Sequence, residues 1–495
     1  MTPQLLIVAC LLLPVLGAVG SLAMRGHFAP AFIGASGTFA ASLALVGMTS
    51  GGRVSALHVG NWPAPYGVVL VVDGFSALML AVCTLVLLAA FVFSKTTLSA
   101  RYRRRHLFPL LSTLGLGANG AFLTGDLFNL YVWFEVLLLS SFAIMAIVPG
   151  RAARQGTWRY VVINLVASLL FLASAGLIYG KTGTLNFADL HRLFQATERS
   201  FLIKSSTAIL FGAFGIKAAL IPLAFWLPKS YPQLPPALSG LFAALLTKIG
   251  LYALFRIFGM VFVSNGSFPH QNILFWIAII TMVGGVLGAV AQNDMRRILS
   301  FHIISQVGYM ALALALFTPL ALAGGIFYLV HHIVVKGNLF FVTGLVERHA
   351  GSSQLNEVSG IVRSSPLIAA LFAIPALSLA GFPPLSGFFA KFALMQAALS
   401  HQEWLAALAV GGVGLLTIFS MLKIWVAAFW GEPQGPTHST IPINLVTSGL
   451  LALVTLALGL ASGPVFQLAQ DAAATLINPA AYLEAVLGSG NPAKP

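Results

Sequence analysis

The chain has 495 residues, 58% of them hydrophobic and only 8% charged, with a formal net charge of +14. A soluble domain carries about 25% charged residues, so the composition excludes a soluble protein and leaves no polar stretch long enough for a separate soluble domain. The positive excess lies largely in short loops between apolar segments, which is the mark of membrane topology rather than of phosphate binding, and no nucleic acid is expected as a partner.

A membrane-crossing helix needs about 20 mostly apolar residues. On that rule the chain is an all-α polytopic membrane protein with about fourteen transmembrane helices. They are expected at 4–24, 30–49, 67–93, 107–124, 127–148, 158–180, 201–228, 235–262, 272–291, 298–316, 319–346, 366–398, 404–430 and 441–466. The segment from Met1 to Gly20 has no basic leader and runs on as an apolar helix, so it reads as a retained span rather than a cleaved signal. Cys10 and Cys83 fall inside apolar segments and suggest neither a disulfide framework nor a metal site.

Loop charges set the orientation. Lys95 with Arg101, Arg103, Arg104 and Arg105 (loop 94–106), Arg151 and Arg154 (loop 149–157), and Arg296 and Arg297 before the tenth span alternate correctly if all three loops are cytoplasmic. Both termini then lie outside. The loop at 181–200 is nearly balanced, with Lys181, Arg192 and Arg199 against Asp189 and Glu198.

Two spans read as broken helices. Pro222 interrupts 201–228 five residues after Lys217, and Gly381, Pro383 and Pro384 interrupt 366–398 just before Lys391. Proline removes a backbone donor and clashes with the preceding turn. At membrane depth such breaks are tolerated only where protein or a wet cavity satisfies the freed groups. Paired breaks in two halves of a chain mark the site of an inverted-repeat transporter. No literal sequence repeat is legible; PPALSG (235–240) and PPLSG (383–387) match, but out of register with a five-helix repeat.

Within the apolar spans stand Glu135, Lys217, Lys248, Lys336 and Lys391. An ionisable group at the bilayer centre costs about 2.5–3.5 kcal/mol even on the mild insertion scale, so one acid and four lysines in a row point to a proton path. In YLVHHIVVKGNLFF, His332 and Lys336 are four apart and share a helix face, while His331 points about 100° away. His332 is thus a candidate relay partner, and His331 reads as an interior structural histidine. Two adjacent histidines cannot share one face, so no metal site and no cofactor are expected. For Glu135 the plainer reading is a carboxylate satisfied by Ser140 or Ser141. Arg256, Lys204, Lys423 and Lys229, nearer span ends, read as snorkelling or topological, and Asp73 and Asp126 as helix caps. A carboxylate about 4 Å from a lysine returns roughly 4 kcal/mol at an effective dielectric of 20, comparable with the cost of burying the lysine's charge. Making or breaking a Glu135–Lys217 pair would therefore decide whether the lysine keeps its proton and would pass a disturbance along the row.

These segments resemble the antiporter-like membrane subunits shared by respiratory complex I and the Mrp cation/proton antiporters. The resemblance rests on NLYVWFEV, GIKAALIPLAFWLP, LLTKIGLY, HHIVVKGNLFF and GFPPLSGFFAKF, and it covers nearly the whole chain. NWPAPYGVVLVVDGFSALML (61–80) is more similar to the D-type component of the Mrp complex than to the complex I subunits, and the long carboxy-terminal extension of the largest subunits has no counterpart here. One complex I relative has glutamate where Lys391 stands. The resemblance implies two inverted five-helix repeats, at 107–262 and 272–430, flanked by 1–106 and 441–495. It also implies Glu135, Lys217, Lys248, Lys336 and Lys391 as proton-path residues, with His332 as a further member. The expected function is proton translocation in a multisubunit Na⁺ or K⁺/H⁺ antiporter of a bacterial inner membrane, with other antiporter subunits, membrane lipids, protons and a monovalent cation as partners. The alternative is a proton-pumping subunit of an NADH–quinone oxidoreductase or a membrane-bound hydrogenase. A lipid-modifying enzyme would need a nucleophile or metal acids facing an interface, and the chain shows no aspartate-rich motif or HExxH; a passive scaffold would not need its mid-span charges.

Overall fold

A computed structural model describes residues 2–99, 106–196, 201–433, 438 and 441–488. The arginine cluster at Arg101, Arg103, Arg104 and Arg105 therefore lies outside the described residues, as do Glu198 and Arg199. The chain opens with α1 (Pro3–Ala23) and α2 (Phe28–Thr49), followed by a hairpin of β1 (Ser55–His58) and β2 (Val69–Val72). Next come α3 (Gly74–Thr97), α4 (Leu107–Leu123), α5 (Leu127–Ala146), α6 (Arg151–Thr182) and the short α7 (Phe187–Ala196). The middle of the chain forms α8 (Phe201–Ala218), α9 (Pro236–Arg256), α10 (Gln271–Val290), α11 (Met295–Leu316) and α12 (Pro319–Ala350). The last third gives α13 (Pro366–Ala380), α14 (Ser386–Ser400), α15 (Trp404–Ile424), α16 (Pro442–Leu460), α17 (Ser462–Ile477) and α18 (Ala480–Leu487).

Each of the fourteen apolar segments contains a helix, and among the described residues twelve helices are long and apolar enough to cross a membrane. The remaining two segments yield the shorter apolar helices α4 and α13, so helix length alone licenses twelve crossings rather than fourteen. The segment expected at 67–93 starts late, because Val69–Val72 pairs antiparallel with Ser55–His58. Asp73 then caps α3 by accepting from the Ser76 amide at 2.9 Å. At the other end, the span expected to run to 466 stops at Leu460, and α17 follows with Ala469, Ala472, Ala473 and Leu476 as a buried face at helical spacing. Both expected breaks are present. Helix α8 ends at Ala218 with Ala219 at φ 62°, and α13 ends at Ala380 with Gly381 at φ 91°.

Helix α12 is the hub. Thr318 caps it, Pro319 occupies its first turn, where a missing donor costs nothing, and Gly351 ends it in the left-handed conformation. It packs against α3, α9, α11, α13, α14, α16 and α17. The most apolar stretch of α9 is buried throughout, and those of α11 and α12 are 94% buried, against 39% for α1, α2 and α6. The lipid-facing helices thus form a shell around three helices that see only protein. Any charge on those three must be satisfied from inside the bundle.

Helix starts recur at a constant spacing: Leu127, Arg151 and Pro236 are followed by Met295, Pro319 and Trp404. The helices that begin at Pro236 and Trp404 both finish in a five-residue π turn, at Ile257–Val261 and Trp425–Phe429. Asp126 accepts from the Asn129 amide and bridges to Asn186, and Asp294 accepts from the Arg297 amide and bridges to Gln354. Asp126 is thus a cap, as its position suggested.

Arg256 does not snorkel. It is 2% exposed, and its guanidinium grips Asp73 with two bonds of 2.6 and 2.8 Å. The rings of Phe75, Tyr252 and Tyr482 stand 5.4–5.5 Å from its centre. The pair ties the start of α3 to the end of α9 and, through Tyr482, to α18. Arg256→Met leaves Asp73 buried and unpaired and should cost about 3–5 kcal/mol, read as a fall in the thermal unfolding midpoint in detergent. The double variant Asp73→Asn/Arg256→Met should recover part of that loss; a double variant as unstable as the single would mean that packing, not the pair, carries the effect.

Candidate functional site

The row begins on α5. Glu135 is half-buried and its Oε1 has no hydrogen-bond partner. Ser140 donates to the Val136 carbonyl, and Ser141 bonds the Leu138 carbonyl and the Tyr160 hydroxyl, so neither serine satisfies Glu135. Lys217, in the last turn of α8 and 4% exposed, donates to Ser168 Oγ at 3.3 Å and lies 4.7 Å above the ring of Phe134. Glu135 is within its electrostatic range. However, no contact within 4.0 Å joins them among the described residues, whose ion pairs are Asp73–Arg256, Arg296–Glu347 and Arg363–Glu432. The Glu135–Lys217 pair is open. Beside it, Phe134, Tyr160, Asn164, Lys217 and Trp226 help line a cavity of about 10 Å³, room for one water.

Lys248 lies on α9, fully buried, and donates to the carbonyl of Ala243 in its own preceding turn. Across the contact between α9 and α12, Lys336 donates to the Leu299 carbonyl of α11 at 3.3 Å. Lys336 is within electrostatic range of both Lys248 and Lys391, and His332 of Lys248 and Lys336. Both ring nitrogens of His332 and both side-chain polar atoms of Asn338 are buried without a partner. Buried polar atoms are normally paired, so four orphans on two turns of the most central helix mark a place made for something besides packing.

The far end sits at the second break. Lys391, on α14, donates to the carbonyls of Leu379 and Ala380 at 2.8 and 3.1 Å. These are the last two residues of α13, whose terminal carbonyls lack intrahelical partners and carry the negative end of the helix dipole. The break therefore presents the ammonium with two main-chain acceptors. The ring of Tyr309 lies 5.2 Å from the same ammonium.

Two histidines were undervalued or missed by sequence reasoning. His331, read as structural, bonds Ser386 Oγ at 2.8 Å, leaves Nε2 unpaired and stacks on Tyr328. It lies within range of Lys391 and Lys336 and faces the broken helix, whereas His332 faces Lys248. His302 on α11 bonds Ser420 Oγ at 2.9 Å with its other nitrogen unpaired. Its signal was available as a lone histidine in the apolar run SFHIIS. Of the peripheral cations, Lys204 and Lys229 are exposed, and Lys423 donates to the Val290 and Gln292 carbonyls at the end of α10.

Residues 124–417, more than half of the chain, match the family described as NADH:quinone oxidoreductase/Mrp antiporter, transmembrane. The D-type component of the Na⁺/H⁺ antiporter of Alkalihalophilus pseudofirmus is 42% identical over 440 residues, 88% of each chain. A chain of the Mrp complex from Dietzia superposes with a TM-score of 0.93 at 35% identity, covering 99% of this chain and 100% of that one. A chain of the membrane-bound sulfane sulfur reductase, an archaeal respiratory membrane complex, gives 0.90 at 25% identity, with 97% and 100% covered.

The geometry at the second break is tight. A Cβ placed on Gly387, in the first turn of α14, would stand 1.8 Å from the Ser378 carbonyl of α13. Gly387→Ala should force the two half-helices apart and lower stability by about 1–3 kcal/mol. Gly412→Ala, with nothing within 4 Å of the added methyl, should leave the unfolding midpoint in detergent close to wild type. Equal midpoints for the two variants would show that the half-helices are not clamped.

Proposed function

The chain belongs to the NADH:quinone oxidoreductase/Mrp antiporter family, and we propose that it is the proton-translocating subunit of a multisubunit Na⁺ or K⁺/H⁺ antiporter. It is a multi-pass membrane protein and a transporter component rather than an enzyme. The proton path runs Glu135, Lys217, Lys248, His332, Lys336, Lys391, with His331 between Lys336 and Lys391. Residues 107–262 and 272–430 are its two repeats, flanked by 1–106 and 441–495; the recurring helix starts support that division.

One observation carries the reading: four buried lysines are held by neutral oxygens, a serine hydroxyl and main-chain carbonyls, and by no carboxylate. A neutral acceptor does not fix the charge on the amine, so each lysine can give up its proton to the next group when a neighbour's charge changes. Closing the open Glu135–Lys217 pair would hold the proton on Lys217, and opening it would send the proton toward Lys248. The unpaired nitrogens of His332 and His331 then accept and donate on either side of Lys336. Water in the small cavity beside Lys217 would bridge the first step.

The second reading, a proton pump powered by redox chemistry, draws on the likeness to the archaeal respiratory complex. The higher identity to the Na⁺/H⁺ antiporter relative favours the first.

The test is cation-dependent dissipation of a pH gradient in everted vesicles carrying the assembled complex. Glu135→Ala should abolish exchange with the subunit still inserted; near wild-type exchange would remove the pair from the mechanism.

Lys248 separates a carrier from a fixed field. Lys248→Ala should stop exchange. Lys248→Arg should also fail or run slowly, because arginine does not deprotonate in proteins. Full activity with arginine would make Lys248 a fixed charge that the path bypasses.

A further inference from the structure

On the side of the expected cytoplasmic loops, the first helix break opens into a cavity of about 660 Å³ that the proton path does not use. Its walls include Pro222, Phe225 and Phe301, and its lining includes Arg159, Lys229 and Arg297 but no carboxylate. All three cations are exposed, and none belongs to an ion pair among the described residues. They come from three separate places: the third turn of α6, the chain just after the break, and the first turn of α11. Three unpaired cations lining one cavity make it electropositive and complementary to an anion.

The apolar walls say what kind of anion. Phe225 in the wall is 53% exposed; outside the cavity, Trp158, adjacent in sequence to Arg159, is 69% exposed. An exposed tryptophan beside arginine is the usual furniture of the headgroup level. An apolar slot rimmed with cations on the cytoplasmic side suits a lipid of the negatively charged leaflet. A free phosphate would use the cations and leave the slot empty. We propose that this cavity binds an anionic phospholipid, its phosphate among Arg159, Lys229 and Arg297 and an acyl chain along Phe225 and Phe301 beside the break at Pro222.

The assembled complex in phosphatidylcholine nanodiscs doped with phosphatidylglycerol provides the test, with retained lipid counted by native mass spectrometry. At about fivefold per cation near a membrane surface, R159Q/K229Q/R297Q should lose about a hundredfold in preference for phosphatidylglycerol. An unchanged preference would overturn the proposal. So would displacement of the lipid by inorganic phosphate alone, since that would make the site one for a free anion. A second measurement needs no variant: phosphatidylglycerol carrying a photoreactive group on its acyl chain should label the peptides containing Phe225 or Phe301 in the wild-type complex. Labelling confined to other peptides would show that something else fills the groove.

Discussion

A lysine shut inside a helical bundle must find an oxygen, and the kind of oxygen decides what the lysine can do. This chain contains both solutions. Where a fixed joint is needed, Arg256 meets Asp73 through two short charged bonds within a ring of aromatics. Along the central row, each ammonium meets a neutral carbonyl or hydroxyl instead. A hydrogen bond from an ammonium is charge-assisted and contributes about 1.5–3 kcal/mol, but a neutral acceptor brings no countercharge that would fix the proton on the amine. The row is held in place without being locked in charge. Because the same fold builds a closed pair elsewhere, the open arrangement is not a failure to find acids.

The two breaks look alike from the backbone but serve their lysines differently. At the first, the freed carbonyls of α8 are taken locally: Trp226 donates to Ile216, and the Leu220 amide to Gly215. Lys217 belongs to the helix that ends there and turns to Ser168 on α6. At the second, the lysine lies on the helix that follows, and the last carbonyls of α13 point at it. Gly381 makes this possible by taking a left-handed φ that places the end of α13 against Lys391. One break thus leaves its amine on a serine hydroxyl of a neighbouring helix, and the other supports an amine held by a helix dipole.

Much of this was legible in the sequence, and what was not has definable causes. Apolar length gave the positions of the long helices, because lipid permits nothing else. Proline and glycine gave both breaks. The isolated charges marked Lys217, Lys248, Lys336 and Lys391 as buried, as they are, with Glu135 half-buried beside them in the row. The β-hairpin before α3 was hidden because VVLVV reads equally as the start of a span. The constant spacing of helix starts, as between Pro236 and Trp404, was hidden because it lies in helix boundaries and not in residue identity. Arg256 was misread because distance from a helix end predicts snorkelling only where water lies beyond that end, and here Tyr482 covers it. A Glu135–Lys217 contact was expected and is absent among the described residues, since spacing along the chain carries no interhelical distance.

The adjacency of His331 and His332 makes the same point from the other direction. Side by side they cannot chelate a metal, and that argument also made one of them seem idle. On a continuous helix the same 100° step aims them at different neighbours: one toward Lys248 on α9, the other onto Ser386 at the mouth of the second break. Only an unbroken helix packed on all sides can do this. Helix α12 is buried throughout its middle and contacts both α9 and α14. The two broken helices bring carbonyls or bends to single points, while the intact one between them joins the halves by facing both. Its burial, which makes each orphaned nitrogen costly, is also what puts each of them within reach of a lysine on another helix.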